Sequence, residues 1–269
     1  MPETPWRQAN VAFADWHSAE TTALTHLAPL LREAEDRGDL TGWFHIRKRP
    51  CWRIRYQPAT GNDPVPAALD ALAADGLITG WTAIVYEPEV HAFGGPEAMD
   101  AAHRLFHQDS RHLTVHLQDG GRRRETSLLL CSLLMRSAGL DWYEQGDVWA
   151  RVTAHRPLPD TGLCGSDRHH DAVRRLISVD TESMLHPAGP LARLTDWARA
   201  YTDAGTELAR LTTAGRLHRG LRAVVAHHVL FAWNRAGLPQ EDQAALAGAA
   251  KTVILGPDPT RRSHDADLD

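Results

Sequence analysis

Cysteine is scarce in this chain of 269 residues: only Cys51, Cys131 and Cys164 occur, scattered and without a CxxC. Neither a disulfide framework nor a zinc site is indicated. No run of about eighteen apolar residues exists, so no membrane span is expected. The start, MPETPWRQ, has no basic n-region and no apolar h-region, and the protein reads as cytoplasmic. A surplus of positive charge is missing too. The net charge of -5 argues against non-specific binding to nucleic acid. There is no GxSxG, no P-loop, no GxGxxG and no HExxH. With 43% hydrophobic and 23% charged residues, what remains is a soluble globular composition, long enough for one large domain or two small ones.

What is present centres on Gly42 to Pro58, GWFHIRKRPCWRIRYQP. Aromatic and β-branched residues on both sides of Pro50 predict a β-hairpin. In its second run Trp52, Ile54 and Tyr56 fall on one face, Arg53 and Arg55 on the other. Two strand rises separate the arginines by roughly 7 Å, a spacing suited to clamping carboxylates or an oxyanion. The same pattern also describes an ordinary solvated strand face.

Gln8 to Phe13 is a candidate strand. Ser18 is a candidate N-cap for a leucine-spaced helix that Pro29 should kink and Gly38 should stop. A helix over Pro66–Asp75 and a strand over Leu77–Tyr86 follow the hairpin. Strand, helix, strand, strand, helix, strand is the ferredoxin-like, split βαβ order. Beyond Tyr86 the periodicity is helical only, with helices predicted over Pro96–Phe106, Arg124–Ala138, Asp141–Ala154, Asp167–Val179, Leu191–Thr213, Leu217–Ala236 and Gln240–Leu255. The fold class expected is therefore α+β: a ferredoxin-like part over 1–86, a loop over 87–95, and an all-helical part over 96–256. Together these make one domain, and residues 257–269 read as a disordered tail.

For chemistry, the loop Glu87–Gly95 carries Glu87, Glu89, His91 and the pair Gly94–Gly95. Gly94–Gly95 before a Pro-started helix could hold an anion. His103 and His107, like His112 and His116, are four apart and could share a metal, but no third ligand can be named and no metal is expected. His227 and His228 are adjacent, so they cannot face the same way on a helix; they precede Asn234 and Arg235. Arginines on a strand, a carboxylate- and His-bearing loop and a late His pair suit proton abstraction next to a carbonyl. A base takes the proton and guanidiniums stabilise the enolate.

Four stretches carry a resemblance: WFHIRKRPCWRIRY (43–56), YEPEVHAFGGPEAMDAAHRLFHQDS (86–110), HHVLFAWNRAGL (227–238) and the Gln240–Ala250 helix. Together with Trp16–Leu40, they make the chain similar to the C-terminal, glutamate-elimination domain of class I lantibiotic dehydratases. The likeness is greatest to its stand-alone form, the thiopeptide-type bacteriocin biosynthesis protein. The resemblance implies maturation of a ribosomally made precursor peptide. A partner enzyme using glutamyl-tRNA esterifies Ser or Thr with glutamate, and this domain expels the glutamate to leave dehydroalanine or dehydrobutyrine. Related stand-alone members instead join two dehydroalanines by a formal [4+2] cycloaddition to form a pyridine ring. A non-catalytic partner that binds the leader peptide is a third possibility.

Carried over by position, Arg53 and Arg55 match the arginines that engage the glutamyl group. Glu89 matches the acidic position before Gly94–Gly95. His227 or His228 is the nearest match to a histidine that precedes Asn-Arg. Ala92 stands where elimination domains commonly carry an arginine. The catalytic candidates are Arg53, Arg55, Glu89, His227 and His228. Substrate-binding candidates are His45, Arg47, Glu87, His91, Gly94, Gly95, Asn234 and Arg235. No cofactor, direct nucleic-acid partner or membrane is expected; the oligomeric state stays open, a homodimer being one option.

Overall fold

The computed structural model describes residues 5–59, 63–157 and 167–256. Cys164 and the tail expected over 257–269 lie outside the described residues. The first part runs β1 (Arg7–Ala12), α1 (Trp16–Thr22), a π-helical turn (Ala23–Leu27), α2 (Ala28–Asp36), β2 (Leu40–Lys48), β3 (Cys51–Pro58), α3 (Val65–Ala74) and β4 (Gly80–Ile84). Its sheet is antiparallel throughout, in the order β2-β3-β1-β4, which is the ferredoxin-like arrangement the element order predicts.

Register decides the two faces. Trp43, His45 and Arg47 of β2 lie opposite Tyr56, Ile54 and Trp52 of β3, and Ala9 and Val11 of β1 complete that row. This face packs on Leu27, Leu31, Val65 and Leu69 from the α1–α3 layer. The reverse face presents Phe44 and Ile46, Arg53 and Arg55, and Gln8 and Asn10. Phe44 and Ile46 pack there against Phe93, Met99, Ala102 and Phe106. The strand β2 is an edge, and its free backbone is covered rather than left open. Trp43 N–H donates to His107 Nδ1 at 3.1 Å and His45 N–H to Ser110 Oγ at 3.3 Å.

Two local expectations change. The cap of α1 is Asp15, which accepts from the backbone N–H groups of His17 and Ser18; Ser18 itself lies in the first turn. The Asp15 carboxylate, three residues earlier, starts the helix sooner and satisfies free N–H groups of its first turn. Ahead of Pro29 the helix is rewound as a π turn, with Ala28 N–H bonding Ala23 O. Proline has no N–H to give and crowds the preceding turn, so the hydrogen-bond ladder is reset there.

The helical part comprises α4 (Pro96–Gln118), α5 (Arg123–Ser137), α6 (Trp142–His155), α7 (Asp167–Ser178), α8 (Thr181–Leu185), a 3-10 turn (Ala192–Leu194), α9 (Thr195–Thr213), α10 (Leu221–Ala236) and α11 (Gln240–Leu255). Its core takes side chains from α4–α7 and α9–α11, with Trp149 and Trp233 stacked at 5.8 Å. Every residue of α5 from Thr126 to Met135 is buried, Ser132 included, as the largely apolar run LLLCSLLM predicts. Asp141 and Glu144 form a capping box at α6. The helix α10 starts at Leu221, not Leu217. Residues Leu217–Arg219 instead pack on the Gly94–Gly95 turn, where His218 N–H donates to Gly94 O at 2.8 Å. No helix among the described residues is long and apolar enough to cross a membrane.

Candidate active site

Period-two alternation puts Arg53 and Arg55 on the sheet face away from α2 and α3. Arg55 is buried; its Nε donates to Gln8 Oε1 at 2.8 Å, and Gln8 Nε2 donates to Asn10 Oδ1 at 2.9 Å. The guanidinium lies 4.6 Å from the Tyr86 ring and 5.4 Å from Phe44. Burial pulls the Arg55 pKa below its usual value, and neighbouring Arg53 pushes the same way, against Tyr86 and Glu89. Arg53 is half-buried and its Nε has no hydrogen-bond partner. Among the described residues neither guanidinium has a carboxylate within ion-pair distance. Two cations thus sit side by side on one face with unspent donors, the arrangement of an anion receptor.

The loop after β4 brings a carboxylate beside them. Phe93 anchors it, buried among Phe106, Phe231, His227 and His228 at ring separations of 4.8–5.2 Å. The chain then turns sharply through Gly94 at φ 93° and Gly95 at φ 114°, a region open to glycine. A Cβ on Gly94 would lie 2.6 Å from Leu217 Cδ1, and one on Gly95 2.8 Å from His218 Nδ1. So fixed, the loop holds Glu89 with a carboxylate oxygen 2.9 Å from His227 Nε2. That hydrogen bond keeps the Glu89 carboxyl below its ordinary range, against a smaller opposing effect of burial.

Helix geometry separates the two adjacent histidines. His227 stays partly open on the loop side of α10. His228 is buried, 4.9 Å from Phe93 and 6.0 Å from Phe106, with neither ring nitrogen hydrogen-bonded. Burial drives its pKa down to about 3, so it is a neutral core group at neutral pH.

A second polar pair borders the same face. Tyr86 Oη and His103 Nε2 are 2.9 Å apart, and His103 stacks on Trp6 at 4.7 Å. Burial raises Tyr86 to about 12 and lowers His103 to about 4. The phenol keeps its proton and the imidazole stays neutral. Neither was among the site residues expected from sequence. Tyr86 opens the YEPEV stretch, but its pairing with a histidine on α4 has no local signature.

Other expected site residues are placed elsewhere. Arg235 is wholly buried: its Nε donates to Asp109 Oδ2 at 2.5 Å, and Asp109 also accepts from Trp197 Nε1 and Tyr201 Oη, each at 2.8 Å. It ties α10 to α4 and α9 and cannot meet a substrate. His45 is also buried, stacked on Trp52 at 5.0 Å with Nε2 3.2 Å from Arg235 O. Arg47 and Asn234 line a cavity on the opposite face of the sheet. Glu87 and His91 are exposed on the loop.

The paired histidines of α4 are engaged singly, His103 with Tyr86 and His107 with Trp43 and Glu35. Among the described residues no group of three or more His, Cys, Asp or Glu is arranged to hold a metal ion.

Residues 6–254 match the family model described as lantibiotic biosynthesis dehydratase C-term. No curated protein matches the chain. Among solved structures it is similar to the tRNA dependent lantibiotic dehydratase MibB from Microbispora sp. 107891, with a TM-score of 0.62 and 19% identity over 95% of this chain. The chain spans only 28% of MibB's length. It is similar to TsrL with a TM-score of 0.64 and 16% identity, covering 93% of this chain and 94% of that one. The pyridine synthase TbtD, from thiomuracin biosynthesis, gives 0.58 and 12%, covering 93% and 97%. At these identities the likeness is one of fold.

Proposed function

The chain belongs to the lantibiotic biosynthesis dehydratase C-terminal family, and from that premise we propose that it eliminates glutamate from glutamylated Ser and Thr of a precursor peptide. The observation that carries the proposal is the pair of guanidiniums, Arg53 and Arg55, without an ion pair among the described residues and sharing a face with the Glu89–His227 pair. A glutamyl ester supplies the missing anion: its free carboxylate suits the guanidinium fork. His227 donates Nε2–H to Glu89, which leaves Nδ1 with a lone pair facing away from the carboxylate. Nδ1 takes the α-proton of the esterified residue, and Glu89 stabilises the imidazolium that forms. The electron pair of the broken Cα–H bond becomes the new double bond. The Cβ–O bond breaks, and its electrons leave with the glutamate carboxylate. A guanidinium lowers the barrier where that charge develops. The peptide and a glutamylating enzyme that uses glutamyl-tRNA are the partners this reading requires.

The Tyr86–His103 pair favours a second reading, pyridine formation from two dehydroalanines. A phenol raised to about 12 keeps its proton and can donate a hydrogen bond to the oxygen that leaves in the water loss which that reaction needs.

The deciding experiment supplies purified protein with glutamylated peptide and follows intact mass. Wild type converts each glutamyl adduct to a net loss of one water. Arg55→Ala and Arg53→Ala keep the adduct, with rates lower by about 10² to 10³. Wild type that leaves the glutamylated peptide untouched but changes an already dehydrated one overturns elimination in favour of cyclisation.

A further inference from the structure

The hairpin that carries Arg53 and Arg55 has a second cationic feature on its other face. Arg47, Arg49 and Arg156 line a cavity of about 540 Å³ together with Trp16, Asn234 and Gln243. Among the described residues no carboxylate lines it. Arg47 shares the single carboxylate of Glu20 with Arg123, so that cluster keeps a surplus positive charge, and its buried Nε has no hydrogen-bond partner. Arg49 is exposed and lies over the Trp16 ring at 5.4 Å. Among the described residues Arg156 donates to Gln243 Oε1 and the His155 carbonyl. Among the described residues neither Arg49 nor Arg156 has a carboxylate partner. The N-terminus of the 16-residue helix α11 opens at Gln240 on the same wall; Glu241 and Asp242 in its first turn offset its partial positive charge, Asp242 being paired with Arg124, so the cavity's positive charge is that of its arginines.

We infer that this cavity binds an acidic segment of the peptide substrate, away from the reacting residue. Three features select a peptide over a small ion. The volume suits several side chains, within the range of about 300–1,000 Å³ typical of ligand pockets. Trp16, Leu238 and Pro239 give it an apolar wall. Asn234 and Gln243 supply amides that can pair with peptide backbone groups. The hairpin joins the two sites: Trp52 faces the Arg47 side, and the next residue, Arg53, faces the opposite side. An extended chain passing round the Arg49–Pro50 turn can therefore occupy both, with its carboxylates in the cavity and its glutamylated residue at Arg53 and Arg55. The cavity's occupant rests on the elimination reading only in the identity of that peptide.

The test uses the full chain and a fluorescein-labelled tetraglutamate peptide, with tetraglutamine as the neutral counterpart, followed by anisotropy. Wild type binds the acidic probe and not the neutral one. The double variant Arg49→Ala/Arg156→Ala weakens binding by about tenfold or more, the size expected for lost charge-assisted contacts. Arg53→Ala, which removes one guanidinium of the reacting site, weakens it less than the double variant does. Arg49→Glu alone, on an exposed turn, gives the same result should Arg156→Ala disturb folding by circular dichroism. Unchanged binding in the folded variants overturns the inference, and so does loss of binding in Arg53→Ala instead. Displacement of the probe by an equal concentration of inorganic phosphate also overturns it, leaving a site for small oxyanions. Binding that survives while wild type fails to process glutamylated peptide sinks the elimination reading without touching this one.

Discussion

His227 and Glu89 stand 138 residues apart in the chain, yet imidazole Nε2 and carboxylate oxygen meet at 2.9 Å. In the neighbour His228, one residue on, neither ring nitrogen has a hydrogen-bond partner among the described residues. Helix α10 turns one histidine to the Glu87–Gly95 loop and the other into a cage of phenylalanine rings.

The two positions should respond differently. His227→Ala is expected to slow glutamate elimination by about 10² to 10⁴, the usual contribution of a general base. His228→Leu fills the same apolar space and should keep the rate within a few-fold. Timed mass spectra of a glutamylated peptide give both numbers. The reverse ranking would make His228 the base.

Glu89→Gln keeps an oxygen that accepts from Nε2–H but removes the charge that stabilises the imidazolium. The rate should fall at least about tenfold. The Glu89 side chain is 52% exposed, so thermal unfolding should be nearly unchanged. A large drop in melting temperature with unaltered turnover would assign Glu89 to folding.

Asp109 accepts from Arg235, Trp197 and Tyr201 in a site closed to water. Asp109→Ala leaves the Arg235 charge buried and unpaired. Urea titration should show a loss of about 3–5 kcal/mol. A loss below about 1 kcal/mol would mean that the pair does not hold α4, α9 and α10 together.

At the loop turn, Gly95→Ala adds a methyl group where φ is 114° and His218 Nδ1 lies 2.8 Å from the new atom. Strain of about 1–3 kcal/mol is expected, with the loop displaced from His227. Loss of turnover should exceed the loss of stability. A variant as active as wild type would show that the turn does not position Glu89.

Stability should fall in acid. Burial holds His45 and His103 at about 4 and His228 at about 3, against 6.5 for a free imidazole. Between these values the unfolded chain binds more protons than the folded one. The stabilisation is therefore complete above pH 6.5 and is lost as the pH falls towards 4. Each histidine can remove up to about 1.4 kcal/mol per pH unit in that window. Urea midpoints at pH 7.5, 6 and 5 should decline, less steeply in His228→Leu. A flat profile would contradict the burial of these rings.

The alternation in Trp52–Tyr56 by itself determined that Arg53 and Arg55 share a face opposite the core residues, because side chains alternate along any strand. Strand and helix order likewise determined the ferredoxin-like part, and the apolar run of α5 its burial. These are properties of neighbouring residues. What each face then meets is not. Arg235 and Asn234 follow the histidines in sequence, yet one sits inside the helical core and the other on a cavity across the sheet. Tyr86 meets His103 and Glu89 meets His227 across separate elements, in a loop whose Gly94–Gly95 turn packs against Leu217 and His218. Local periodicity constrains a residue's direction from its own element. Only packing between elements far apart in the chain decides which groups come within hydrogen-bond reach, and that is why tertiary structure alone decided that His227, and not His228, meets Glu89.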